Sequence, residues 1–105
     1  MRPDLAIIQK WIEPGSRVLD LGCGDGTLLS YLQNEKQIHG IGLEIDEDKM
    51  NACLGKGVNV IQQDLNKGLD NFETGSFDTV LLTHTLQAVR YPDLLVKEML
   101  RIGKN

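Results

Sequence analysis

The stretch Asp20-Leu21-Gly22-Cys23-Gly24-Asp25-Gly26 constrains this chain more than any other. It follows the apolar pair Val18-Leu19 and precedes Thr27-Leu28-Leu29-Ser30-Tyr31-Leu32, whose apolar residues recur at helical spacing. That order is a buried strand, a tight glycine loop and a helix start. Glycine has no Cβ, so a ligand can approach the loop backbone closely. The loop also aims the free N–H groups of the helix N-terminus at the same place. A bare strand-to-helix turn does not need three glycines alternating over five residues, so the stretch reads as a ligand site.

Spacing narrows the ligand. The dinucleotide fingerprint is G-x-G-x-x-G with an acid about 20 residues further on. Here the glycines run G-x-G-x-G, and Thr27 stands where that fingerprint has its third glycine. An NAD- or nucleotide-binding module is therefore the weaker alternative. Asp20 lies two residues before the first glycine, at the end of the strand. This D-x-G-x-G-x-G pattern resembles motif I of the class I S-adenosylmethionine-dependent methyltransferases.

With 105 residues the chain is read as one small domain. Its net charge of −4 and mixed surface argue against a nucleic-acid partner, which needs a clustered basic face. No apolar run reaches the roughly 18 residues of a membrane span, and Met1-Arg2-Pro3-Asp4 does not resemble a signal peptide. Cys23 and Cys53 are far apart and belong to no C-x-x-C pair, so neither a zinc site nor a disulfide framework is expected. The default location is a reducing cytoplasm, with no membrane partner.

Periodicity predicts a helix over residues 3–12, which either docks on the sheet or covers a cofactor. Strands are expected at Arg17–Leu21, Ile38–Leu43, Val58–Ile61 and Phe77–Leu82. The helix after the glycine loop should run to about Asn34, with Leu28, Leu29 and Leu32 toward the sheet. Asp46 is the expected N-cap of the next helix, whose apolar stripe is Met50, Cys53 and Leu54, with Gly55 or Gly57 ending it. One helical turn is expected from His84 to Val89. Pro92 opens a last helix with Leu95, Met99 and Ile102 on one face, and Gly103 stops it. The aromatic residues and methionines read as core.

Strands alternating with helices mean right-handed crossovers and a parallel sheet with helices on both faces. Ligands of such sheets bind at the carboxyl ends of the strands. The loop from Asp20 to Gly26, Glu44, Asp64 and Thr83-His84 all fall at those ends. Glu44 lies about 20 residues past the loop, where an acid accepts hydrogen bonds from ribose hydroxyls. Asp64 can accept from an adenine amino group, with Leu65 giving a backbone N–H and apolar surface and Ile45 packing on the other face. Asp20 would stand near the cationic end of the ligand.

More narrowly, the chain is similar to the MetW family of methionine biosynthesis proteins. The residues that carry the likeness are Gly15-Ser16-Arg17-Val18, Gly42-Leu43-Glu44-Ile45-Asp46, Gly57-Val58-Asn59-Val60-Ile61-Gln62 and Thr85-Leu86-Gln87-Ala88, beside the loop, Gln63-Asp64 and Phe77-Asp78. The resemblance implies a Rossmann-like α/β fold with sheet order 3-2-1-4, the start of the class I order 3-2-1-4-5-7-6, apparently truncated before strand 5. Residues 1–105 would be the cofactor-binding, N-terminal part of one methyltransferase-like domain. The implied cofactor is S-adenosylmethionine or S-adenosylhomocysteine, held by Asp20, Gly22, Cys23, Gly24, Gly26, Glu44, Ile45, Asp64, Leu65 and Thr83. The implied partner is a homoserine O-acyltransferase; an ordinary small-molecule methyltransferase is the alternative.

Methyl transfer from a sulfonium is an in-line displacement, in which the protein contributes mainly position and electrostatics. A base is needed only if the acceptor must lose a proton. His84 is the one candidate near the site, and packing beside the cofactor is its plainer role. His39 falls at the opposite end of the sheet. Cys23 has no base partner that would make it a nucleophile.

Overall fold

A computed structural model describes residues 11–82 and 89–104. Four strands form one parallel sheet: β1 (Arg17–Leu21), β2 (His39–Glu44), β3 (Asn59–Gln62) and β4 (Thr79–Leu82). Their order is β3-β2-β1-β4, as expected. Helices α1 (Thr27–Lys36), α2 (Glu47–Gly55) and α3 (Pro92–Ile102) complete the fold. Parallel neighbours cannot be joined by a hairpin, so α1 and α2 serve as the crossovers from β1 to β2 and from β2 to β3. The chain then returns to the other side of β1. That reversal makes the carboxyl end of β1 the switch point of the sheet.

Alternation along the strands divides the core between two faces. Val18 packs with Leu28, Leu29 and Leu32 of α1, Cys53 of α2 and Val58. Leu19, Leu21 and Leu43 point to the other face and meet Leu69, Phe77, Leu95 and Ile102. The two central strands, β1 and β2, are thus buried on both sides, whereas β4 is half-buried and β3 is largely exposed.

Local chemistry explains where the elements begin and end. Helix α1 extends to Lys36, two residues past the expected end, because Gln37 turns left-handed at φ 51° and its N–H bonds the Gln33 carbonyl at 3.1 Å. Asp46 caps α2 as expected: its Oδ1 accepts the N–H groups of Asp48 at 2.9 Å and Lys49 at 3.2 Å. Of the stripe expected on α2, Cys53 is fully buried but Leu54 is exposed. Helix α3 starts at Pro92 and stops at Gly103, with Leu95 and Ile102 buried and Val96 and Leu100 exposed.

Strand β4 is shorter than expected, starting at Thr79. Phe77 instead pairs with Gly103 in an isolated bridge. Asp78 is held across to β1: its N–H donates to the Arg17 carbonyl at 2.9 Å, and its Oδ2 accepts the Arg17 N–H at 2.8 Å. Arg101 of α3 pins the segment before β4 by donating to the carbonyls of Leu69 and Phe72. Of the helix expected over 3–12, only Trp11 and Ile12 are among the described residues; they form a turn and a bend. Trp11, read as core, is exposed. The turn expected from His84 to Val89 lies outside the described residues except for Val89. No helix among the described residues is long and apolar enough to cross a membrane.

Leu29 is wholly buried under α1, and its methyl groups fill the space above Gly40 and Gly42. Leu29→Ala is expected to cost about 2–5 kcal/mol, measured as a shift of the urea midpoint at unchanged slope. Leu100→Ala, on the exposed side of α3, should stay within about 0.5 kcal/mol.

Candidate functional site

The glycine loop is built by backbone geometry that other residues resist. Gly22, Gly24 and Gly26 have φ of 72°, 60° and 83°, all left-handed. The N–H groups of Gly22 and Cys23 both donate to the Leu43 carbonyl, at 2.8 and 3.0 Å, carrying the pairing of β1 and β2 into the loop. Asp25 then starts α1: its Oδ1 accepts the Thr27 N–H at 3.0 Å and the Thr27 hydroxyl at 2.6 Å. Those two bonds hold the Asp25 carboxyl below its usual range. At Gly26 the end of α2 lies directly on the loop. A Cβ there would stand 2.9 Å from Cys53 Sγ and 3.3 Å from its Cα. Just past α2, Lys56 Nζ donates to the Asp25 carbonyl at 3.0 Å.

Glu44, at the end of β2, braces this loop. Its Oε1 accepts the Gly24 N–H at 2.9 Å, and its Oε2 accepts the N–H groups of Ile45 and Asp46, each at 3.0 Å. A carboxylate oxygen has about two acceptor sites. Oε2 is therefore filled by the protein, whereas Oε1 retains capacity for one more donor.

Asp20 lies beside this brace and is 1% exposed. Its Oδ1 is buried without a hydrogen-bond partner in the protein. Burial, and secondarily the charge of Glu44, pushes its pKa up from the ordinary 3.8 to about 7. Buried acceptors are normally satisfied. An orphan carboxylate oxygen at a switch point suits a cationic or proton-donating ligand.

A cavity of about 270 Å³ opens at the carboxyl ends of the strands, and Gly22, Glu44, Ile45, Asp64 and Leu65 are among its lining residues. Asp64 caps the short 3-10 turn Leu65–Lys67, its Oδ1 accepting the Asn66 N–H at 2.9 Å. Five of the ten residues expected to hold a cofactor thus line one cavity. Gly24 joins them through Glu44 and Gly26 belongs to the same loop, whereas Asp20 lies buried in β1 and does not line the cavity. The Cys23 side chain packs in the core with Cys53. Thr83 and His84 lie outside the described residues. His39 stands exposed at the start of β2, at the far end of the sheet. A larger hollow of about 780 Å³, lined by Arg17, His39 and Asn59 among others, is also at that far end. Doubly wound sheets bind ligands at the carboxyl ends, so the smaller cavity is the candidate. Cys53 reads only as part of the apolar stripe of α2, and Lys56 just past it carries no local signal; the crossover brings both against the loop.

The sheet order, the left-handed glycine loop and the acid closing β2 define a Rossmann-like methyltransferase fold. A SAM-dependent methyltransferase from Archaeoglobus fulgidus superposes with a TM-score of 0.80 at 28% identity, covering 96% of this chain and 47% of that one. A SAM-dependent methyltransferase from Geobacter sulfurreducens, solved in complex with S-adenosyl-L-homocysteine, superposes at 0.78 with 21% identity, covering 100% and 45%. Within that class, the family model for methionine biosynthesis protein MetW matches residues 2–105, and the chain belongs to that family. The bifunctional methionine biosynthesis protein MetXA/MetW of Rhodopirellula baltica is 40% identical over 102 residues, covering 90% of this chain and 16% of that protein. The chain therefore spans about half the length of those solved structures and about a sixth of that relative.

The raised pKa of Asp20 has a definite effect on stability. The folded protein keeps the Asp20 proton up to about pH 7, whereas the unfolded chain releases it near pH 3.8. Between those values the folded state binds more protons, so the contribution of Asp20 to stability falls as pH rises through that window. Asp20→Asn should remove this loss, stabilising the ligand-free protein at pH 8 by on the order of a few kcal/mol. Thermal melts at pH 5 and pH 8 check it: the difference between variant and parent should be larger at pH 8.

Proposed function

We propose that residues 1–105 are the cofactor-binding part of a single methyltransferase-like domain, and that the crevice above Asp20 holds S-adenosylmethionine or S-adenosylhomocysteine. The observation that carries this reading is the meeting of Gly22, Glu44, Ile45, Asp64 and Leu65 around one cavity. When bound, S-adenosylmethionine supplies an electrophilic methyl group on a sulfonium.

The chain's own residues would bind and orient. Asp20 offers its unpartnered oxygen to positive charge. Glu44 accepts a ribose hydroxyl at Oε1, while Oε2 stays on the Ile45 and Asp46 amides. Asp64 accepts from an adenine amino group, and Ile45 and Leu65 give the ring apolar surface. The glycines keep the loop backbone open to the ligand. Thr83 completes the binding set; a place beside the cofactor is the plainer role of His84, which is the one candidate base should an acceptor have to lose a proton.

We further propose that the protein acts with a homoserine O-acyltransferase. The MetW family carries the association with methionine synthesis. The relative that unites MetXA and MetW in one chain supports a working pair, because fusion keeps two functions at a high effective concentration.

Glu44→Gln keeps the side chain's size but removes the carboxylate charge and turns an NH2 group onto one of the amides that Glu44 holds. It should weaken S-adenosylhomocysteine binding by about 1.5–3 kcal/mol, read by calorimetric titration with circular dichroism as the check on folding. An unchanged affinity would take Glu44 out of the site. For the partner, co-expression with a homoserine O-acyltransferase should give one co-eluting species on size exclusion and an altered acyltransferase rate. Two independent peaks with an unaltered rate would refute the pairing.

A further inference from the structure

The two cysteines of the chain, 30 residues apart in sequence, meet beneath the glycine loop. Cys23 Sγ and Cys53 Sγ are 3.7 Å apart. Both are free thiols, and both face the same acceptor, the Gly24 carbonyl, at 3.7 and 3.2 Å respectively. The two sulfurs occupy space left by two glycines. A Cβ on Gly42 would stand 2.4 Å from Cys23 Sγ, and one on Gly26 would stand 2.9 Å from Cys53 Sγ. The packing therefore brings the two thiols together against the loop, one from the loop itself and one from α2.

We propose that Cys23 and Cys53 are a redox latch: hydrogen peroxide joins them in a reversible disulfide, and the bond shuts the cofactor loop. The second half of this proposal rests on the cofactor reading above. The chemistry balances in two steps. Cys23 Sγ, giving up its proton, attacks one peroxide oxygen; the O–O bond breaks, a sulfenic acid forms and the leaving hydroxide departs as water. Cys53 Sγ then attacks the Cys23 sulfur; the S–O bond breaks, and the second water leaves with the Cys53 proton. Two thiols lose two electrons, and one peroxide is reduced to two waters.

Access and reactivity set the conditions. Cys23 is 8% exposed and Cys53 is wholly buried, so the oxidant must be small. Burial raises both thiols above the ordinary cysteine range, and the charges of Asp20 and Glu44 add to this at Cys23. The reduced pair is consequently protonated and slow to react, which suits a latch that stays open in reducing surroundings.

The loop responds because of what Gly24 does. A disulfide needs its sulfurs about 2.05 Å apart, so the two must close by more than an ångström. In doing so both S–H donors to the Gly24 carbonyl are lost. The same residue's N–H is the one that Glu44 holds. The disturbance therefore reaches the acid that reads the ribose.

The test uses the full chain, treated with hydrogen peroxide or with dithiothreitol. Intact mass should show the loss of two hydrogens after peroxide, with the Cys23 and Cys53 peptides linked in a digest. S-adenosylhomocysteine should then bind at least tenfold more weakly, and dithiothreitol should restore it. Cys53→Ser, which keeps a donor for Gly24, and Cys53→Ala should both bind as the reduced parent does and lose the response to peroxide. Failure to form the link, or a link that leaves affinity unchanged, overturns the latch. A reduced protein that does not bind S-adenosylhomocysteine overturns the cofactor reading and the gating with it, while the link itself is still judged by mass alone.

Discussion

The carboxylate of Glu44 holds the crevice in shape. One side chain takes three backbone amides, one from the glycine loop and two from the turn that leads into α2. Charge-assisted bonds of this kind are roughly twice as strong as neutral ones, and they work here at a residue that is almost buried. Without them the Gly24 amide would lose its acceptor, and the turn from β2 into α2 would lose its template. The loop, the start of α2 and the floor of the cavity share this anchor. A residue expected only to touch a ligand is also part of the frame.

Glycines set how close the other parts can come. At Gly42 a side chain would collide with Cys23, and at Gly26 with Cys53. Removing those two Cβ atoms lets the loop sink against β2 and lets the end of α2 rest on the loop. Helix α2 therefore packs through the small Cys53, leaving Leu54 in solvent. Its attachment comes from close approach, the Asp46 cap and the reach of Lys56 to Asp25.

Much of this was legible in the residues because several signals agreed at each point. The run from Arg17 to Leu21 is a strand with the expected bounds, since the apolar stretch ends abruptly in glycine. Alternating strands and helices pointed to a parallel sheet, the family resemblance implied its order, and the Asp46 cap followed from its place before two acids. The misses at β4 and α2 come from contacts between residues distant in sequence. Phe77 reads as strand, yet its N–H donates to the Ile102 carbonyl and its carbonyl accepts the Lys104 N–H, a bridge to Gly103 that delays β4 to Thr79. Leu54 reads as core because periodicity cannot see that Gly26 has already brought α2 close through Cys53. The candidate site was legible as a set of strand ends. The meeting of Cys23 with Cys53, and the bracing role of Glu44, needed the crossover to be folded.

The unpartnered oxygen of Asp20 has a consequence for how any ligand would be felt by the molecule. Burial raises the Asp20 pKa to about 7, so its carboxyl keeps a proton well above the ordinary carboxylate range. A cation arriving there competes with a hydrogen ion for the same oxygen. Binding then expels a fraction of a proton into solution, and its measured heat includes the ionisation heat of whichever buffer accepts it. Titrations in phosphate and in Tris would differ by that amount, although the contacts made are the same. A crevice that took a cation at Asp20 would thus act as an ion exchanger, with the proton as its resident counterion.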